Sequence, residues 1–318
     1  MIATPVPATH HRDHRDAARR LGVDLAAHLH DPDAFATALR DALASLADPD
    51  YLEGQRSVAP GLGRIHGVRA PLLDAIARGF LRETRHDPVG AVLDIAERLL
   101  RDAYLEPRWL ASDLLERTLA TETEQTWQLL RRAAREAADW IAVDNLAHPY
   151  SVGIAREPYR WSELELLVYS PSRWERRLIG STIATMTHGR RTTVRAADAD
   201  LASRALPILE QLIGDDEPEV QKALSWAYRS LAALDLGATT SALRAEARLA
   251  VEADDGYRAW VIRDSLAELA PQDADDLRTR LTGIRRRSGA PSTSTAAVAA
   301  ARFGGLPDPT THPEPPLA

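Results

Sequence analysis

Apolar residues recur every three or four positions along almost all of this 318-residue chain, a period that leaves room for little besides helices. The pattern is clear in Ala34–Leu46, Pro71–Phe80, Val92–Leu100, Trp109–Leu119, Trp127–Ala137 and Leu201–Ile213. In an α-helix such spacing gathers the apolar side chains on one face. Strand-like alternation is rare, and clusters of Val, Ile and Thr are short. Asp87-Pro88, Ser170-Pro171 and Glu217-Pro218-Glu219 read as helix starts, because proline is tolerated where the first amide has no intrahelical acceptor. Connections are mostly short, which favours antiparallel neighbours. The sequence predicts an all-α fold.

The chain is long enough to bury a substantial core. It has no cysteine, so disulfides and cysteine-based metal or redox centres are excluded. Met1–Arg20 lacks the apolar run of a signal peptide, and no segment reads as a membrane span, so a cytoplasmic protein is expected. Residues 1–13 read as a flexible arm and 289–318, rich in Pro, Gly, Ser, Thr and Ala, as a disordered tail. The folded unit is expected over 14–288. His10, His11 and His14 lie in or beside the arm, so no metal site is expected there, and no cofactor motif is recognisable. Trp140, Arg177 and Trp226 are spaced by 37 and 49 residues, which brackets the period of about 40–47 for HEAT-like helix pairs. Pairs of that kind stack into a superhelix with a concave face.

Three helices carry aromatic and charged residues together. Trp140-Ile-Ala-Val-Asp144 sets a tryptophan and a carboxylate one turn apart, on the same face. The Ser170-Pro171 start puts Arg173 and Arg177 near the positive end of a helix dipole, where a phosphate is favoured. Lys222, Trp226 and Arg229 lie at i, i+4 and i+7 on one helix, beside an apolar stripe of Val220, Ala223, Leu224, Ala227 and Leu231. Each has an ordinary explanation: a surface ion pair, a solvated arginine face, or a half-buried tryptophan with cationic neighbours. Their combination points to a flat, phosphate-bearing ligand.

Net charge is −7, which by itself argues mildly against nucleic acid. From Arg173 to Arg195, however, six arginines (173, 176, 177, 190, 191 and 195) stand against one acid, Glu175. An acidic protein with one basic region is consistent with a DNA binder. Lys222 is the only lysine in the chain.

These motifs, in this order, resemble the AlkD-like family of DNA alkylation repair enzymes, the HEAT-like repeat DNA glycosylases. Gly67-Val-Arg-Ala-Pro71 looks like the family's early helix start, and Glu106-Pro-Arg-Trp-Leu-Ala111 like its E-x-R-x-x-A helix. Trp140–Asp144 matches W-x-x-x-D and Trp174-Glu-Arg-Arg177 matches W-x-x-R. Val220–Ala223 with Trp226-Ala-Tyr-Arg229 resembles the Q-K-A and W-x-L-R segment, with Tyr228 in the leucine position. Ser230 stands where many relatives carry Glu, and Ser172-Arg173 replaces a common polar pair. The resemblance covers roughly Val58–Leu234. It implies a superhelical stack of HEAT-like antiparallel helix pairs with a concave DNA-binding face, acting as a monomer on alkylated double-stranded DNA in the cytoplasm or nucleoid.

It also implies a reaction: hydrolysis of the N-glycosidic bond of cationic alkylpurines of the 3-methyladenine and 7-methylguanine type, bulky adducts included. A purine alkylated at N3 or N7 leaves as a neutral base, so the group to stabilise is an oxocarbenium-like sugar. Asp144, Trp140 and Trp226 are the expected catalytic residues, and Arg173, Arg177, Lys222 and Arg229 the expected phosphate contacts. Two other readings compete. One is a non-catalytic HEAT-like module for damaged or branched DNA, to which Asp144 is of no use; the other is a protein scaffold, to which the basic stretch is of no use.

Overall fold

A computed structural model describes residues 8–58, 63–188 and 200–302. All regular structure among them is helical, in sixteen α-helices and a few short 3-10 turns, with one isolated bridge between Arg64 and Tyr104. The all-α expectation holds. The chain divides into two compact units, Met1–Ala133 and Ala134–Ala318.

The first unit holds α1 (Ala8–Leu25), α2 (Pro32–Ser45), α3 (Pro49–Val58), α4 (Ala70–Glu83), α5 (Val89–Leu100), α6 (Leu105–Thr118) and most of α7 (Thr123–Glu136). α1 thus starts inside the stretch read as a flexible arm; the His10 and His11 side chains lie outside the described residues. Helices α1 and α4 pack closely because glycines meet at their crossing. A Cβ on Gly22 would collide with the carbonyl of Ile76, and one on Gly79 with that of Arg19. Phe35, Leu39, Ile76, Phe80, Ile95, Leu99 and Leu110 fill the core, and the Phe35 and Phe80 rings meet edge-on at 5.0 Å. The Gly67 and Glu106 motifs come together. Glu106, buried near the start of α6, accepts from the backbone amides of His66 and Gly67, both at 2.8 Å. Gly67 has φ +88°, and a Cβ there would stand 2.8 Å from that of Leu52. These two motifs are therefore a clasp that fixes the entry to α4.

The second unit holds α8 (Trp140–Arg156), α9 (Trp161–Leu166), α10 (Arg173–His188), α11 (Leu201–Leu212), α12 (Pro218–Ala232), α13 (Leu236–Ala253), α14 (Gly256–Asp264), α15 (Pro271–Arg280) and α16 (Thr295–Arg302). Helix α10 is its axis, packed against α8 on one side and α12 on the other. The approach to α12 depends on Gly180, where a Cβ would lie 2.6 Å from the carbonyl carbon of Ala223. Asp139 caps α8, its side chain accepting from the amide of Ala142 at 2.8 Å. Glu217 and Pro218 open α12, as the sequence predicts. Helix α10 begins at Arg173, later than Ser170-Pro171 suggests, because the Ser170 hydroxyl turns back to accept from the amide of Ser172 at 3.1 Å.

Part of the expected tail is built into this unit. Thr293 donates its amide to the carbonyl of Gly214 at 2.9 Å, the Ser292 hydroxyl bonds the same oxygen at 3.1 Å, and Ala296 of α16 is buried. Hydroxyl and backbone hydrogen bonds, together with small apolar side chains, hold a segment whose composition offers no large apolar groups.

Because Gly180 has a helix backbone as its nearest neighbour, Gly180→Ala is expected to destabilise the second unit by about 1–3 kcal/mol through overpacking. Gly90→Ala is the control: its added methyl meets nothing within 4 Å, so stability should hold or rise by about 0.4–1 kcal/mol. Urea unfolding of both variants measures the difference.

Candidate functional site

The α8–α10–α12 layer of the second unit brings together most of the chemically notable side chains. Arg177, in the second turn of α10, is buried, with its side chain only 6% exposed. Its Nε and Nη2 donate to the two oxygens of Asp144 on α8, at 3.1 and 2.8 Å, forming a two-pronged pair. Its Nη1 donates to the carbonyl of Glu219 on α12 at 2.7 Å and to the Glu219 carboxylate at 3.2 Å. One guanidinium therefore ties three helices together. Ser181, one turn further along α10, donates its hydroxyl to Asp144 Oδ1 at 2.6 Å.

Asp144 is thus held on both oxygens while its side chain stays 23% exposed. A planar guanidinium paired two-prong with a carboxylate fixes the orientation of both planes. Trp140 sits one turn before Asp144, at the first position of α8, half-buried. On α12, Glu219, Lys222, Trp226 and Arg229 follow one another at three- and four-residue steps along one stripe. Trp226 is also half-buried, whereas Tyr228 on the same helix is fully buried.

The expected cationic groups are placed differently from one another. Lys222 is 56% exposed and its Nζ rests 2.8 Å from Glu219. Arg173, the first residue of α10, is 49% exposed, 3.4 Å from Glu217, with its guanidinium 5.0 Å from the Trp174 ring centre. Arg229 donates to the carbonyl and carboxylate of Asp264 at 2.7 and 2.8 Å. Arg177, expected on a phosphate, instead has its donors taken up by Asp144 and Glu219. Arg176 is likewise committed, to the buried Asp215 at 2.7 Å and to the carbonyls of Ser170 and Pro171. The described part of the basic run is therefore charge-compensated; Arg190, Arg191 and Arg195 lie outside the described residues.

Sequence reasoning missed Ser181 and Glu219. Each carries a signal in its spacing, since Ser181 follows Arg177 by four residues and Glu219 precedes Lys222 by three. Nothing in the sequence, though, says that Arg177 points across two helix seams. Among the described residues no group of three or more His, Asp or Glu side chains is arranged to hold a metal ion, and no helix is long and apolar enough to cross a membrane.

The second unit is thus an all-α scaffold in which an arginine orients a carboxylate, in a layer that also carries two half-buried tryptophans. The chain belongs to the DNA alkylation repair enzyme family, whose model matches residues 39–269. That span takes in the Gly67–Glu106 clasp and the α8–α10–α12 layer. A search of curated proteins found no significant match. Membership gives the protein a role in repair of alkylated DNA and makes DNA its partner.

Two substitutions on α12 separate surface from core. Trp226→Ala is expected to cost well under the roughly 3–5 kcal/mol of a core tryptophan truncation. The Tyr228 hydroxyl is buried without a hydrogen-bond partner among the described residues, and burial pushes its pKa upward. Removing an unsatisfied hydroxyl relieves a desolvation penalty, so Tyr228→Phe should raise stability by about 1 kcal/mol. Thermal and denaturant melts check both; a Tyr228→Phe protein that melts earlier would mean the hydroxyl is satisfied.

Proposed function

We propose that the protein is a DNA glycosylase that hydrolyses the N-glycosidic bond of cationic alkylated purines, with Asp144 as the central catalytic group. The observation that carries this reading is the carboxylate itself: partly exposed, held on both oxygens by Arg177 and Ser181, one turn from a half-buried tryptophan. A surface that only binds phosphates has no use for such a group. An N3- or N7-alkylated purine carries the positive charge that a general acid would otherwise supply, so it departs neutral. Charge then develops on the sugar, as in glycoside hydrolysis. An oriented carboxylate stabilises that cation and positions the attacking water, and it does so without reorganising during the reaction.

Trp140 and Trp226 turn electron-rich faces toward the positive deoxyribose, a cation–π contribution that grows with the charge. Arg177 acts through Asp144 as a positioning residue. The groups that reach DNA phosphates are Lys222, Arg173 and Arg229, whose side chains are at least 30% exposed and which exchange a carboxylate partner for a phosphate. The substrates fitting this chemistry are 3-methyladenine and 7-methylguanine lesions and, where the surface leaves the adduct free, bulkier alkyl groups.

The direct test is release of 7-methylguanine and 3-methyladenine from methylated duplex DNA. Asp144→Asn keeps the shape and removes the charge, so single-turnover excision should fall by about a hundredfold or more, with duplex affinity unchanged or slightly tighter. Excision at the wild-type rate by this variant would remove Asp144 from the mechanism.

The division of labour among the cations has its own readout. Lys222→Ala should lower the magnitude of the log–log salt slope of duplex binding by about 0.9, the share of one phosphate contact. Arg177→Ala should leave that slope near wild type while excision collapses, because its charge is already spent on Asp144 and Glu219. Equal slope changes in the two variants would return Arg177 to the phosphate contacts.

A further inference from the structure

Arg173, Arg176, Arg177, Lys222 and Arg229 of the α10–α12 pair are each matched by a carboxylate. The arginines that follow α15 are matched only in part. Between Asp276 and Asp308 the chain carries Arg278, Arg280, Arg285, Arg286, Arg287 and Arg302 and no acid. Arg278 and Arg280 pair with Asp275 and Asp276 within α15, and Arg287 pairs with Asp254. Arg285 is exposed and has no ion-pair partner among the described residues. Arg286 is exposed too, and its contacts are neutral: Nη1 donates to Gln221 Oε1 at 2.9 Å, and the guanidinium lies 4.8 Å from the ring centre of Trp260 on α14.

The segment bearing these arginines is fixed. Arg263 donates to the carbonyls of Leu281 and Ile284 at 3.1 and 2.9 Å, directly before Arg285. Arg285 and Arg286 pass so close over the start of α14 that only glycine fits at Gly256. The Tyr257 hydroxyl then donates to the carbonyl of Ala290 at 2.6 Å, and Ser292 and Thr293 reach Gly214. Three guanidiniums are consequently held near one another. Burial, and then the charges of Arg285 and Arg286, keep the Arg263 pKa below the usual arginine value. A fold that clamps like charges together and leaves two of them exposed, next to a half-buried tryptophan, is complementary to an anion of repeating charge.

We propose that Arg285 and Arg286, with Trp260, form a second DNA-backbone contact, built by the strap that follows α15. It lies beyond residues 39–269 of the family match, apart from Trp260. Arg286 bonds Gln221 in the first turn of α12, two residues after Glu219 and so on a different face of that helix from the candidate site. The occupant is the phosphate backbone of duplex DNA, and the inference rests on the DNA-repair reading above.

The experiment is equilibrium binding of the full chain to an undamaged duplex across 50–200 mM salt. Arg285→Ala/Arg286→Ala should lower the magnitude of the salt slope by about 1.8 and weaken binding at 0.1 M salt by roughly tenfold per contact. Arg285→Glu guards against misfolding, since that side chain holds nothing in the fold, and it should weaken binding at least as much as loss of one contact. Arg280→Ala removes the same charge from α15, outside the proposed contact, and its slope should match wild type. If the wild type binds the duplex and the double variant keeps its slope, the strap contact is overturned and the repair reading stands. If Arg280→Ala weakens binding as much as Arg285→Ala, net charge rather than a placed contact is responsible, which also overturns the proposal. A wild type that fails to bind duplex DNA at low salt overturns both.

Discussion

The guanidinium of Arg177 is the interaction on which the second unit's site depends. It spans the two seams of the α8–α10–α12 layer, pairing with Asp144 across one and with Glu219 across the other. A single buried charge is unfavourable, and even a paired one is often no more stabilising than an apolar substitute. Its value lies in direction. Two carboxylates and a backbone carbonyl fix every donor-bearing arm of the group, and Asp144 inherits that rigidity. The arrangement needs α10 and α12 to lie closer than side chains normally permit, and Gly180 against Ala223 provides the approach. Helix packing and site geometry are thus one constraint, since a bulkier residue at Gly180 would move Glu219 away from Arg177.

Charge is distributed in the unit according to use. Within the layer, Arg173, Arg176, Arg177, Lys222 and Arg229 are each paired with an acid. The buried pairs, Arg176–Asp215 above all, are structural. The exposed pairs are weak in water and exchange readily. The strap after α15 leaves Arg285 and Arg286 without carboxylates among the described residues, and there the fold supplies backbone and hydroxyl bonds that hold the segment in place.

Helix periodicity made most of the fold legible. The start at Glu217 follows from a first-turn proline that sequence alone reveals. The Ser170 start reads two residues early because a serine hydroxyl that closes a turn and one that caps a helix look the same in a sequence. The strap and α16 were hidden for another reason: small and hydroxylated residues signal disorder when they have nothing to bury, yet here they bond Gly214 and the start of α14. At the site, i,i+4 spacing puts Trp140 and Asp144 on one face of α8, since both lie on that helix. What spacing cannot give is the reach of a long side chain across a helix seam. Arg177 therefore read as a phosphate ligand, while its partners Ser181 and Glu219 read as ordinary helix-surface residues.

That difference bears on the chemistry. A carboxylate facing a nascent sugar cation is useful to the extent that its charge is already oriented when the substrate arrives. Left alone on a helix surface, Asp144 would be free to rotate and would be solvated, and water would do most of the stabilising. Tied on both oxygens, it gives up some negative charge density to Arg177 and Ser181 but gains a fixed direction. The compromise suits a reaction whose leaving group is already activated by its own positive charge. Such a substrate needs neither a strong acid nor a deep base pocket, only a fixed dipole at the sugar and a grip on the backbone. In the proposed reading the layer supplies the first through the Asp144–Arg177 pair and the second through cations that can trade carboxylates for phosphates.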